Sequence, residues 1–349
     1  MQYINEEVLL ARAIPAVIPK RVPTKWLILS PGKSAFFSAA DYASKLQEFI
    51  SKRESRAVKV ESSDIVPNSL ISVRNLIRLI QKFDSIQLFY SGAVSFNKGI
   101  LPAAIISRFF GKSVALLYYP DQIVDKIPFI HRKTMSLCGN VYLGTRYLQR
   151  TLARFKVKSE VMLAPADVKA LPMHIIREVQ PHILLKQNDT TNAGTICIMK
   201  AVAMVKQKYP RTELSVMIEN FEEWLDSDID AEQFVQPFDC TISFVPEKFP
   251  ENFKKADVYI NCSPSETVPL ALLAAMASGI PSISFDTYGA REIIENGING
   301  LLIRHFDHNQ LADQIIKLVE EPELVENISK EAVKIRQRLG AENFARLAQ

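Results

Sequence analysis

The sequence predicts an α/β protein built from two consecutive doubly wound domains, and three observations carry that expectation. The chain is 349 residues long, which suits two cores rather than one. Short apolar strands alternate with helix-length segments through both halves, a pattern that implies parallel strands joined by crossover helices. Prolines 165, 172 and 181 punctuate a stretch near the midpoint, where a boundary between domains is expected. Hydrophobic residues make up 48% and charged residues 23% of the chain, which excludes wholesale disorder, collagen and coiled coil.

In chain order, Lys25–Ser30 (KWLILS) reads as a short buried strand and the segment from about Ser38 to Lys52 as a helix. A second strand is expected at Val58–Val60, a helix at Asn68–Lys82 and a strand at Ser85–Tyr90. Ile100–Phe110 is helical, Ser113–Tyr119 and Asn140–Leu143 are strands, Arg146–Phe155 is helical and Val161–Ala164 closes the half. The second half offers strands at His182–Leu185, Glu213–Ile218, Cys240–Phe244, Asp257–Cys262, Ser282–Phe285 and Leu301–Arg304. Helices fall between them at Thr195–Lys208, Phe249–Lys255, Pro269–Ser278 and Asn309–Glu320, with a closing helical segment beyond Pro322. The expected divisions are an extension over 1–24, a first domain over 25–170, a second over 171–321 and a closing helix over 322–349 that crosses back to the first. Doubly wound sheets bind ligands outside the carboxyl ends of their strands, so the cleft between the domains is the expected site.

Charge divides the chain. Residues 1–170 carry a net charge of +13, so against the whole-chain +4 the remainder carries −9. A basic half of this kind suits anionic membrane surfaces. No helix-turn-helix, stacking or zinc-finger signature accompanies it, so nucleic acid is not expected as a partner. Cys138, Cys197, Cys240 and Cys262 form no CxxC pair and read as reduced, buried thiols. The N-terminus does not read as a signal peptide, because Arg12 and Pro15 break its apolar run and Glu6 and Glu7 stand where positive charge belongs. The uncharged run Thr267–Phe285 is interrupted by Gly279 and Pro281 and reads as helix, break and strand, not as a membrane span. A soluble cytoplasmic protein is expected, with peripheral contact to the inner membrane face.

Several motifs fail on inspection. Pro31–Gly32–Lys33–Ser34 lacks the earlier glycine of a phosphate loop, since that position is Leu27. Asp226–Ser227–Asp228 lies in an acidic stretch and reads as solvated surface rather than a metal site, and Ala231 and Pro237 exclude an EF-hand. His131, His174, His182, His305 and His308 share no ligand spacing, so no metal is expected. Arg108, Lys112, Arg132, Lys133, Arg146 and Arg150 form either a basic docking face or ordinary solvated surface.

The informative segment is Val258 to Arg304. The strand VYINCS runs into Ser263–Pro264–Ser265–Glu266 and then, through Pro269, into an apolar helix closing at Gly279. A helix starting at a strand end presents unpaired amides and the positive end of its dipole. Glu266 at that mouth either accepts hydrogen bonds from neutral hydroxyls, as sugars offer, or simply caps the helix.

The run S-P-S-E-x-x-P-L-x-L-L-x-A-M-A-S-G-x-P from Ser263, followed by Y-G-x-x-E-I-I-x-x-G-x-x-G-L-L from Tyr288, resembles the donor-site signature of family 4 glycosyltransferases of the GT-B fold. Pro181–Ile218 and Phe253–Asp257 (FKKAD) extend the likeness, and residues 25–170, with Asn140–Pro165 at their end, share it more weakly. The resemblance implies two Rossmann-like domains facing across a cleft, and retaining transfer of a sugar from a nucleotide-sugar donor to a glycan or lipid-linked acceptor. It places Glu266 at the donor-sugar hydroxyls and Thr267, Val268, Pro269 and Leu270 at the turn against sugar and diphosphate. It also marks departures: Ala274 replaces the glutamate that holds the ribose, and Tyr119 stands at the family's histidine. Gln187, Asn188, Ala193 and Gly194 align with a loop that normally supplies two cations to the diphosphate. Lys186, Lys200, Lys33 and Arg291 are the cations available to replace them, with Lys186 and Asn188 taken as donor-binding. No catalytic residue is assigned and no cofactor or metal is implied. The alternative is a non-catalytic protein of the same fold that binds a nucleotide, glycan or protein partner.

Overall fold

A computed structural model describes residues 25–30, 46–47, 51, 59–64, 70–90, 100–120, 127–163, 168, 171–173, 175–187, 193–218, 221, 241–246, 248, 251–261, 263 and 269–339. The chain divides into two compact units, Met1–Asp167 with Gln337–Gln349, and Val168–Arg336.

The first unit holds a six-stranded parallel sheet in the order β2-β1-β3-β4-β5-β6. Its strands are β1 (Lys25–Ser30), β2 (Lys59–Asp64), β3 (Ser85–Tyr90), β4 (Ser113–Tyr118), β5 (Asn140–Leu143) and β6 (Glu160–Val161). Helices α1 (Leu70–Gln81), α2 (Ile100–Phe109), α3 (Phe129–Leu137) and α4 (Arg146–Ala153) connect them. The central strands β3 and β4 are buried almost throughout because both faces are covered, and Leu27, Leu29, Ile86, Leu88, Val114 and Leu116 join one core. Strand β2 extends over the polar KVESSD and so runs past the expected Val58–Val60, which an edge strand tolerates. At the other edge β6 is shorter than expected: Met162 and Leu163 are buried, but the paired strand covers only Glu160–Val161. The helix expected over Ser38–Lys52 lies outside the described residues, apart from helical positions 46, 47 and 51.

The second unit repeats the architecture with the order β12-β11-β10-β7-β8-β9, again wholly parallel. Strands β7 (His182–Gln187), β8 (Glu213–Ile218), β9 (Thr241–Pro246), β10 (Val258–Asn261), β11 (Ser282–Phe285) and β12 (Leu301–Ile303) form it. Helices α5 (Ala193–Lys208), α6 (Leu270–Ala277), α7 (Tyr288–Arg291), α8 (His308–Glu320) and α9 (Pro322–Ala332) follow in chain order, with α10 (Arg336–Leu339) at the end of the described chain. The core joins α5 and α8 to the sheet through Ile198, Val202, Leu311 and Ile315, all fully enclosed. Helix α6 is apolar all round, and Ala271 to Ala277 are buried without exception. Such a helix belongs in a core and not on a surface. Gly279 ends it at φ +81°, the left-handed conformation glycine adopts at least cost.

Candidate functional site

Strand order alone locates the site of the second unit. Strand β7 enters the sheet in its middle; the chain then builds outward through β8 and β9, returns, and builds the other way through β10, β11 and β12. The reversal lies between β7 and β10, the switch point at which open α/β sheets bind ligands. Ile260 pairs with Leu185, so the next residues along, Asn261 and Lys186, stand side by side at the carboxyl ends of these strands. Ser284 is the register partner of Asn261 on β11. The Asn261 amide nitrogen donates to Ser284 Oγ at 3.1 Å, and that hydroxyl donates to Phe285 O at 2.9 Å. This buried chain of bonds fixes the floor of the crevice.

Two helices begin from this edge. Helix α5 follows β7 and starts at Ala193–Gly194; helix α6 follows β10 and starts at Leu270. Neither has an acidic residue in its first turn, and Pro269, at the N-cap of α6, offers no side-chain cap. Pro269 occupies the N-cap position instead of the first helical turn expected of it, buried at φ −75° and accepting from Leu273 N at 3.0 Å. The amides of Leu270, Ala271 and Leu272 therefore keep no intrahelical acceptor, and the positive end of the helix dipole lies at this edge. Thr195, in the first turn of α5, is fully enclosed and its hydroxyl has no hydrogen-bond partner among the described residues.

Of the residues the sequence singled out, Lys186, Pro269 and Leu270 come together at this edge. Glu266, Thr267, Val268 and Asn188 lie outside the described residues. Ala274 is wholly buried, and Ser278 Oγ donates to its carbonyl at 2.8 Å. Arg291, a candidate replacement cation, is engaged by Asp286 through two hydrogen bonds, one of 2.6 Å between Nη2 and Oδ2. The arginine holds the Asp286 carboxyl below the usual carboxylate range. Lys200 is exposed on the second turn of α5, and Lys33 lies outside the described residues.

Sequence reading missed the wall around Asp286. His305 Nε2 lies 3.1 Å from Asp286 O, and the His305 and Phe306 rings pack on Phe285 at 5.9 and 5.4 Å. Thr287 Oγ1 accepts from Ala290 N at 3.1 Å and starts α7, leaving Tyr288 exposed at the strand end. No sequence spacing links residues 286, 291 and 305; only the pairing of β11 with β12 does.

The first unit has its own cluster at strand ends. Tyr118 OH is hydrogen-bonded to His131 Nδ1 at 3.0 Å, and Tyr90 stacks on Tyr118 at 5.0 Å. Burial lowers the His131 pKa. Tyr119 donates its hydroxyl to Met162 O at 3.0 Å and is almost fully enclosed, so burial raises its pKa. Cys138 and Cys197 are free thiols, pushed up to about 12 and about 11 by burial. Cys240, Cys262 and Asp226–Ser227–Asp228 lie outside the described residues. Among the described residues no helix is long and apolar enough to cross a membrane, and no three His, Cys, Asp or Glu side chains converge on a metal position.

Residues 174–335 match the family described as glycosyl transferases group 1. Spore coat protein SA of Bacillus subtilis (strain 168) is 27% identical over 221 residues, covering 61% of this chain and 56% of that protein. The putative glycosyltransferase EpsD of the same organism is 30% identical over 137 residues, covering 39% of this chain and 36% of its own length. The chain thus spans about a third to a half of the length of these relatives. Among solved structures, Anabaena Alr3699/HepE in complex with UDP-glucose superposes with a TM-score of 0.68 at 14% identity, covering 93% of this chain and 98% of that one. Residues 174–335 are thus similar to the glycosyl transferases group 1 family, and the two parallel sheets share the GT-B fold of Alr3699/HepE.

Proposed function

We propose that this protein transfers a sugar from a nucleotide-sugar donor, held at the switch point of the second unit, to a glycan or glycolipid acceptor with retention of configuration. The observation that carries the reading is the start of two helices, α5 and α6, with no acidic residue in either first turn, at the edge where β7 and β10 diverge. Helix amides and Lys186 suit a diphosphate, whose charge grows as it leaves the anomeric carbon. Each preorganised donor aimed at such a developing charge contributes about 3–4 kcal/mol at comparable sites. Glu266, Thr267, Val268, Pro269 and Leu270 line the sugar side in this reading, and Asn188 stands at the loop before α5. Charge is met by amides and side chains, so no metal takes part. The matched family segment spans this whole edge, and Alr3699/HepE is described in complex with UDP-glucose.

Calorimetric titration with UDP-glucose and other nucleotide sugars, followed by donor-hydrolysis and transfer assays with and without EDTA, tests the reading. Saturable binding with EDTA-insensitive turnover supports it, and no binding at millimolar donor refutes it. Glu266→Gln separates the two roles open to that residue. Weakened sugar discrimination with unchanged nucleoside-diphosphate affinity assigns it to the sugar; lowered thermal stability with turnover spared assigns it to the helix cap. A second reading, a binding protein without turnover, draws on three observations: Ala274 is enclosed, Arg291 is paired and the Tyr119 hydroxyl is committed to Met162. Binding without hydrolysis or transfer identifies it.

A further inference from the structure

The helices of the first unit share an unusual surface. From β2 to β3 and onward to β6 every crossover steps in the same direction across the sheet. Right-handed connections therefore put α1, α2, α3 and α4 on one face. Helix α2 packs on both α1 and α3. These four helices contain Arg74, Arg78, Arg108, Arg132, Lys133, Arg146 and Arg150, and not one Asp or Glu.

The same layer exposes large apolar side chains. Ile105 is 50% exposed, Phe109 83%, Phe129 70%, Ile130 41% and Phe155, just beyond α4, 43%. They make up half of the large exposed apolar residues among those described. On α2, Ile105, Arg108 and Phe109 follow the spacing of one helical stripe, so a cation stands between two exposed apolar groups along it. The Arg132 guanidinium carbon lies 3.9 Å from the Phe155 ring centre and 5.8 Å from that of Phe129, which joins α3 to the end of α4.

We propose that this α1–α4 face docks on an anionic lipid bilayer, with Phe109, Phe129 and their aliphatic neighbours in the interface and the cations among the headgroups. Charge complementarity selects the occupant. A layer of seven cations without a carboxylate repels a second copy of itself. Exposed Ile105, Ile130 and Phe109 add nothing to phosphate contacts on a nucleic acid, whereas a bilayer interface takes up both kinds of side chain. The proposal is independent of glycosyl transfer.

The test is co-sedimentation of the full chain with phosphatidylglycerol-containing and pure phosphatidylcholine vesicles, at low and high salt. An oligonucleotide arm and sedimentation velocity without lipid complete it. Retention on anionic vesicles alone is expected, weakening with salt. Arg108→Gln/Lys133→Gln should lose roughly 25-fold in partitioning, from about fivefold per cation. Phe109→Ser/Phe129→Ser should lose about tenfold or more from the apolar contribution. Both pairs are at the surface, so unchanged melting temperatures show that the variants fold. Equal retention on both vesicle types overturns the proposal, as does anionic retention indifferent to the phenylalanine pair. Tighter binding to the oligonucleotide than to vesicles, or a lipid-free dimer abolished by these substitutions, assigns the face to another partner and overturns it too.

Discussion

Ser329→Ala tests how the helix that opens the candidate site is held at its far end. Ser329, on α9, is fully enclosed; its hydroxyl accepts from Ile176 N at 3.0 Å and donates to Gly279 O just beyond α6. Arg336 adds a second tie, donating from Nη1 to Ala277 O at 2.7 Å. Alanine removes both Ser329 bonds and leaves an amide and a carbonyl without their partner. A lost bond that strands a buried polar group costs about 1–3 kcal/mol, and the half-buried Ile176 amide belongs at the low end, so about 2–3 kcal/mol is expected in all. For a unit of this size that corresponds to roughly 5–10 °C in melting temperature. Differential scanning calorimetry with and without UDP reads the shift, and the transition that moves must be the one UDP raises. A change below about 0.5 kcal/mol would refute the reasoning, because it would mean that the hydroxyl carries neither bond in solution.

Thr195→Val keeps the side-chain shape and removes an enclosed hydroxyl that has no partner among the described residues. It should stabilise the protein by about 1 kcal/mol in urea unfolding, and a destabilised variant shows that the hydroxyl is bonded after all. His131 is held neutral by burial against Tyr118, so its folded pKa lies below the ordinary 6.5. As pH falls below 6.5 the unfolded chain takes up that proton first, so stability drops down to the folded pKa and levels off below it. His131→Gln should flatten that part of the stability–pH curve, and an unchanged curve assigns the fall to other groups. Nucleotide affinity should depend far less on salt than vesicle partitioning does, because helix amides rather than surface cations meet the diphosphate; equal slopes in calorimetry and sedimentation would contradict this.

The parts of the fold that were legible in the sequence are those whose burial pattern follows the simple rules. Strands β3, β8 and β11 are short, largely buried segments, and their limits match the sequence reading. Helix α6 announced itself by an uninterrupted apolar run and a closing glycine. Helix α3 went unrecognised because its pattern is inverted. Phe129 and Ile130 point outward while Thr134 and Met135 are buried, so the apolar periodicity that marks a helix is absent. Helix α7 is a single turn started by Thr287, too short for periodicity to reveal. Pro269 and Leu270 were legible in the sequence as the start of a helix that follows a strand. The Asp286–Arg291–His305 wall was not, because it depends on which strands become neighbours.

The inversion in α3 and the cationic layer around it both cost the first unit stability. A helix that turns phenylalanine and isoleucine outward gives up hydrophobic stabilisation in its own unit, and a layer with seven cations and no carboxylate adds repulsion to that cost. Both costs fall on the face that carries α1–α4, away from the strand ends where a doubly wound sheet binds ligands. The second unit shows the opposite arrangement. Its helix α6 is buried from Ala271 to Ala277, and the chain from residue 171 onward carries −9 although the proposed diphosphate site lies there. An anionic ligand there must be met by local dipoles, since the net field of the surrounding chain opposes it. In the proposed reading the two halves favour anions by different means: a broad cationic surface in one, which acts over a Debye length, and helix ends in the other, which act only at contact. A surface that gathers a protein onto a membrane needs reach, whereas a pocket that must distinguish one diphosphate-linked sugar from another needs geometry.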